Sequence, residues 1–310
     1  MTKTAYRILK SAPEGAQRAC YTTEAGLAFV TNGEETLSVP ADRPIPGLQA
    51  SPASEAPTMP PPIAGATTDL SGAISDFTEK LRWVLRASGR KDVRFYLNGL
   101  FFDAENAKLV GTDGHRLHVA DVPQLSTLTR SAILPRESAQ TLLGLITETG
   151  GKRASLRIGI SDIPPEAPRP KDVQPRGLFA FYVGDTVLQV KAIDGIYPDW
   201  KRIKAEPSAM TTLLVDLPSL AHKHKAHAKM IQPDMRYHAL RYNDGHNQIT
   251  IADGTVLAAG ADLPKDFGLN IQYAADARVP TKRRPMCFVD KDKFCLEADD
   301  RHVTIMNMRL

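Results

Sequence analysis

The stretch "DLSGAISDFTEKLRWVLRASGRKDVRFYLNGLFFDAENAKLVGTDGHRLHVAD", residues 69 to 121, holds one helical pattern followed by three extended ones. Leu70, Ile74, Phe77, Leu81, Val84 and Leu85 recur at steps of three and four, and Asp69 stands at the capping position, so the spacing predicts an amphipathic helix. Behind it, "VRFYLNGLFFD" (93–103), "AKLVGTD" (107–113) and "HRLHVADV" (115–122) are alternating runs separated by glycine or polar breaks, which predicts three short strands.

The order then repeats. A strand "SAILP" leads into a helix "RESAQTLLGLITE" (136–148), with Ala139, Leu142, Leu143 and Ile146 on one face, and strands "ASLRIGI", "LFAFYVG" and "DTVLQVKAID" follow. A third copy runs from "MTTLLVD" through the helix "LPSLAHKHKAHAKM" (217–230) to "RYHALRYN", "NQITIAD" and "TVLAAGAD". A fourth is shortened: "FGLNI", a helical turn "YAADA" (273–277), then "PMCFVD", "KFCLEAD" and a terminal strand "RHVTIMNMRL" that sets Met306, Met308 and Leu310 on alternate positions. In front lies "ACYTTEAGLAFVTNGEETLSVPA" (19–41), read as two or three strands with a hairpin at "TNGEE" and no helix. The proline-rich stretch 40–66 reads as a linker and 161–177 as a long loop. Tandem copies of one strand–helix–strand–strand–strand unit make an α+β chain of stacked or ring-like architecture.

Composition narrows the function. The chain has 310 residues, 42% apolar and 24% charged, which suits two or three soluble domains, and no run is long enough to cross a bilayer. The N-terminus lacks a signal-peptide core, and Cys20, Cys287 and Cys295 follow no metal-ligand spacing, so a reducing cytoplasm and no metal or cofactor are expected. A net charge of +4 is mild for a protein that grips nucleic acid by affinity alone.

Catalytic readings fail on geometry. In "GTDGHRL" (111–117), Asp113 and His115 sit two residues apart on a turn with no nucleophile, and a tight Asp113-Gly114 turn leading into the next strand accounts for them. His222, His224 and His227 do not converge on one helix face, so they hold no metal. "TGGKRAS" is no phosphate loop, because Ile146 stands where its first glycine belongs and Arg153 follows Lys152. Two basic stripes remain, Arg82, Arg86 and Arg90 on and past one helix, and His222, Lys225 and Lys229 on another; they are either solvated faces or a sparse surface for a phosphate backbone.

Together "DVRFYLNG" (92–99), "GTDGHRL", "DGIYPDWKRI" (194–203) and "MNMRL" (306–310) resemble the bacterial DNA polymerase III beta subunit, the sliding clamp, in order and in spacing. The resemblance covers about residues 67 to 310 and implies the DNA-clamp fold, with helices facing a central hole and antiparallel sheets outside. It divides the chain into 1–66, a truncated first domain plus linker; 67–206, a middle domain; and 207–310, a shortened C-terminal domain. It implies a processivity factor without an active site, encircling duplex DNA without sequence preference. It also implies that polymerase and clamp loader bind through short peptides, and that the chain closes a ring with copies of itself as a dimer or trimer. The alternative is a non-encircling adaptor or decoy for the same peptides. The peptide pocket carries over onto Leu97, Thr112, Gly114, His115, Arg116, Leu117, Pro198, Arg202, Ile203, Thr304, Met306, Met308, Arg309 and Leu310. Its apolar floor would take a partner's hydrophobic side chains while His115 and Arg116 shape the edge. The DNA-touching segment matches Arg90, Lys91, Arg94, Phe95 and Tyr96. Two positions depart from the family pattern: Asn307 replaces the proline between two methionines, and Thr304 replaces a valine.

Overall fold

The computed structural model describes residues 2–10, 19–22, 27–40, 67–162, 177–231, 239–243, 248–251, 254–259, 268–279 and 285–308. Residues 41–66 and 163–176, read above as linker and loop, lie outside the described residues, as do the outer ends of the strands expected at 236–243 and 255–262.

In chain order the elements are α1 (Thr2–Lys10), β1 (Ala19–Thr22), β2 (Leu27–Thr31), β3 (Glu35–Pro40), β4 (Thr67–Asp69), α2 (Ile74–Leu85), β5 (Gly99–Asp103), β6 (Lys108–Thr112), β7 (Arg116–Asp121), β8 (Ala132–Pro135), α3 (Arg136–Glu148), β9 (Leu156–Asp162), β10 (Gly177–Val183) and β11 (Thr186–Lys191). They continue with β12 (Thr211–Leu213), α4 (Leu217–Ile231), β13 (Ala239–Asn243), β14 (Gln248–Thr250), β15 (Val256–Ala259), β16 (Gly268–Asn270), α5 (Ile271–Asp276), β17 (Met286–Val289), β18 (Lys293–Ala298) and β19 (Arg301–Met306). The repeat therefore begins at β4, β8, β12 and β16, each strand followed by a helix and three strands. Among the described residues no helix is long and apolar enough to cross a membrane.

The chain forms two compact units. The first comprises residues 1–82, 93–109 and 122–196, and the second 83–92, 110–121 and 197–310.

The first unit is built on a seven-stranded sheet ordered β1-β2-β3-β11-β10-β9-β4. A helix that the sequence reading did not expect, α1, precedes the strands β1 to β3. Nine residues are too few to hold a helix alone, and packing supplies the rest: Ala5 and Ile8 are fully buried, Asn32 Nδ2 donates to the Ile8 carbonyl at 3.2 Å, and Arg7 Nη2 donates to Gln140 Oε1 of α3 at 2.6 Å. On α3 the buried face is Ala139, Leu142, Leu145 and Ile146; Leu143, expected there, is only half-buried because it lies one residue round the turn. The core is a phenylalanine cluster. Phe102 meets Phe179 edge-on at 5.2 Å between ring centres and Phe77 at 6.5 Å, and each ring is at most 1% exposed. Each such ring contributes roughly 2–3 kcal/mol by burial, and each favourable ring pair about 0.5–1.5 kcal/mol more. The strand expected from residue 93 begins only at Gly99, since Phe95–Leu97 form a 3-10 turn.

The second unit holds strands in the order β12-β17-β18-β19-β7 and a four-stranded sheet β15-β14-β13-β16. Helix α5 starts two residues earlier than "YAADA" suggested, because Asn270 caps it: its Oδ1 accepts from the Gln272 and Tyr273 amides at 2.9 and 3.2 Å. The terminal strand also stops sooner. Asn307 ends it by donating its backbone N–H to the Asp292 carbonyl and its side-chain Nδ2 to the Asp290 carbonyl, both at 2.9 Å, so Met308 is no longer on a strand.

Both units share one topological device. The leading strand of each repeat pairs with the other repeat's first strand after its helix: β4 with β9 and β8 with β5 in the first unit, β12 with β17 and β16 with β13 in the second.

Candidate functional site

The turn between β6 and β7 is fixed by its own side chains. Thr112 Oγ1 accepts from the Gly114 amide at 3.1 Å and donates to the Arg116 carbonyl at 2.6 Å, while Asp113 Oδ1 accepts from the His115 and Arg116 amides at 3.0 and 3.1 Å. Gly114 sits at φ 86°, the left-handed region where a Cβ is strained. His115 is left exposed at the tip.

Arg116 does not form an exposed edge. It is 8% exposed, its Nε donates to Asp113 Oδ2 at 3.0 Å, its Nη1 to Asp276 Oδ2 at 2.8 Å, and its guanidinium lies 4.2 Å over the Tyr273 ring. Burial raises the Tyr273 hydroxyl above the usual tyrosine value, and the Asp113 carboxylate adds to the effect. The arginine thus pins the turn to α5 of the same unit.

β19 runs antiparallel beside β7, with Thr304 opposite Leu117 and Ile305 opposite Arg116. The Met306 amide donates to the His115 carbonyl at 2.9 Å, and the Met308 amide to the Gly268 carbonyl at 2.8 Å. Residues 198–205 are tied to the same place, since the Ala205 amide donates to Thr304 Oγ1 at 2.9 Å and Lys293 Nζ to the Ile203 carbonyl at 3.4 Å. Tyr197, buried beside the Thr112 backbone, has its phenol pushed up by burial. Within the second unit, then, three sequence-distant stretches converge. Thr112, Leu117 and Thr304 are buried backing; Gly114, His115, Arg202 and Met306 are exposed; Pro198, Ile203 and Met308 are half-buried. Leu97 belongs to the first unit, where it is 2% exposed. Arg309 and Leu310 lie outside the described residues.

This convergence is matched by likeness to known proteins. Residues 74–199 match the family described as DNA polymerase III beta subunit, central domain. The chain is 28% identical over 200 residues to the beta sliding clamp of Proteus mirabilis, covering 60% of this chain and 49% of that one, and 33% identical over 116 residues to that of Salmonella typhimurium, covering 36% and 27%. The DNA polymerase III subunit beta of Pseudomonas aeruginosa superposes with a TM-score of 0.71 at 17% identity, over 100% of this chain and 97% of that one. A sliding clamp of Bartonella birtlesii bound to griselimycin superposes equally well, at 18% identity. The chain is thus similar to the DNA polymerase III beta subunit family, and the family match lies in residues 74–199. Its fold is the DNA-clamp fold, and the chain spans about half the length of the first curated clamps it matches.

The residues that family resemblance assigns to DNA fall in both units. In the first, Arg82 and Arg94 are exposed, Phe95 is 54% exposed and meets Tyr96 edge-on at 5.7 Å. In the second, Arg86, Arg90, Lys91, His222 and Lys229 are exposed and Lys225 is half-buried. Desolvation lowers the His222 pKa, and the positive charges of Lys225, Arg278 and Arg86 lower it further. A sliding-clamp reading of the sequence missed Arg278; it follows α5 and carries no periodic signal, yet joins the basic group around His222. Arg86 is oriented by donating from Nη1 to the Asp276 carbonyl at 3.2 Å.

Proposed function

We propose that this chain is a sliding clamp subunit, a non-catalytic processivity factor that encircles duplex DNA and tethers a replicative polymerase through a short peptide. The observation that carries the reading is the convergence of the 111–117 turn, residues 198–205 and the end of β19. The peptide's apolar side chains lie against Met306, Met308, Ile203 and Pro198, with His115 and Arg202 at the rim and Arg116 and Thr304 holding the turn from behind. The clamp loader uses the same pocket, and the protein works in the cytoplasm.

DNA is held weakly by Arg82, Arg86, Arg90, Lys91, Arg94, Phe95, Tyr96, His222, Lys225 and Lys229, with Arg278 added. A ring needs no tight grip, because topology prevents sideways escape while few phosphate contacts permit sliding. The domain division is 1–66, 67–206 and 207–310, and the ring closes as a dimer or trimer.

The test is retention on nicked circular DNA after loading by a clamp loader, with molar mass followed by light scattering. Retention that is lost on linearising the circle, with an oligomeric mass, supports the reading. A monomer that still binds clamp-binding peptide but is not retained replaces it with an adaptor.

A further inference from the structure

Cys295 and Glu297 on β18 and His302 on β19 meet across one hairpin. Register pairs Glu297 with His302 and Cys295 with Thr304, so all these side chains share a sheet face. His302 Nδ1 lies 2.8 Å from Glu297 Oε1 and 3.8 Å from Cys295 Sγ, and the three donor atoms all fall within 4.8 Å of one another. Metal–sulfur bonds of about 2.3 Å and metal–nitrogen or –oxygen bonds of about 2.0–2.2 Å in a tetrahedron place such atoms roughly 3.3–3.6 Å apart. Opening the Glu297–His302 contact by about half an ångström reaches that spacing.

We infer that Cys295, Glu297 and His302 form a binding site for a zinc-class divalent cation. A thiolate, an imidazole and a carboxylate together suit zinc and its transition-metal neighbours rather than magnesium or calcium. The charges close, since thiolate and carboxylate match the ion's two positive charges, and the nearby Lys204 and Glu206 offset each other. Cys295 is fully buried and His302 is 6% exposed, while the Glu297 side chain, 36% exposed, provides the entry path and an open fourth position.

The surroundings already orient the imidazole. His302 Nε2 lies 2.8 Å from Thr304 Oγ1, which also accepts the Ala205 amide. With the ion on Nδ1, the Nε2 proton donates to Thr304, so that hydroxyl fixes both ring orientation and tautomer. Binding releases the thiol proton and any proton on Nδ1. The C-x-E spacing followed five residues later by histidine is no zinc-finger pattern, which is why only strand register brings the donors together.

The test titrates the full-length, chelator-stripped protein with zinc chloride alone against a chromophoric chelator, and with cobalt chloride for a thiolate charge-transfer band. One ion per chain is expected, with the cobalt band absent in Cys295→Ser and affinity weakened about tenfold or more in Glu297→Gln and His302→Asn. A variant with His222, His224 and His227 all changed to alanine removes surface helix binding and is expected to retain the site. Glu297→Gln lies at the partly exposed ligand and guards against loss of fold, which circular dichroism checks. Stoichiometric binding with an unchanged band in Cys295→Ser, or no binding by the histidine-to-alanine variant, overturns the assignment.

Discussion

Acid is expected to weaken the second unit through His118. Its ring is fully buried and stacks on Trp83 at 4.4 Å between centres, and Nδ1 lies 3.1 Å from the Trp83 carbonyl. A carbonyl only accepts, so Nδ1 carries the proton, and Nε2 has no hydrogen-bond partner among the described residues. Burial holds the pKa well below 6.5; Arg116, Arg86 and His302 push the same way, and the Trp83 carbonyl opposes them. Below pH 6.5 the unfolded chain binds a proton that the folded one refuses. The stabilisation is therefore complete above the unfolded pKa and declines as pH falls beneath it, with a slope of about 1.4 kcal/mol per pH unit, or about 2 kcal/mol over a drop of about one and a half units. Both tryptophans, Trp83 and Trp200, lie in the second unit, so urea unfolding followed by tryptophan fluorescence reads that unit alone. His118→Asn keeps a donor for the Trp83 carbonyl but does not titrate. It is expected to lower stability at every pH because the stacked ring is gone, and to flatten the acid slope by about one proton. An acid slope identical to that of the parent protein would refute the reasoning.

Arg116→Met leaves Asp113 and Asp276 without their shared cation and is expected to cost about 3–5 kcal/mol in the same assay, with Arg116→Lys recovering part of it. In Gly99→Ala, the new Cβ meets Ile133 Cγ2 at 2.6 Å and the Leu134 carbonyl at 2.7 Å, and overpacking of about 1–3 kcal/mol is expected. Because that clash lies in the first unit, hydrogen exchange should show it while tryptophan fluorescence does not. Arg86→Ala with Arg278→Ala is expected to reduce the salt dependence of DNA retention by roughly 0.9 in log–log slope for each phosphate no longer neutralised, measured across a potassium chloride series. Met306→Asp is expected to weaken a clamp-binding peptide about tenfold or more in fluorescence polarisation while leaving the urea midpoint nearly unchanged, since Met306 is 37% exposed.

Where periodicity was long and cleanly punctuated, the sequence was legible. Helix α3 occupies residues 136–148 as expected, bounded by Pro135 and by Gly150 at φ 118°. Helix α1 was invisible because two buried apolar side chains, Ala5 and Ile8, leave no stripe to count. Of the candidate site, the Asp113–Gly114 turn could be read locally, as the partners of its side chains lie within a few residues. Arg116 could not, because Asp276, which draws it inward, is 160 positions away. The early end of β19 has a similar cause: Asn307 makes its bonds to Asp290 and Asp292, residues that local alternation does not sense.

The exchanged leading strands carry a consequence for biosynthesis. Thr212 of β12 has to wait for Phe288 of β17 to leave the ribosome before its ladder forms, and Thr68 of β4 waits for Ile158 of β9. Each pair of repeats is thus committed as a whole. A nascent chain stalled between them exposes an unsatisfied edge that a neighbouring nascent chain is equally able to fill, so crowding on a polysome favours chains that emerge intertwined.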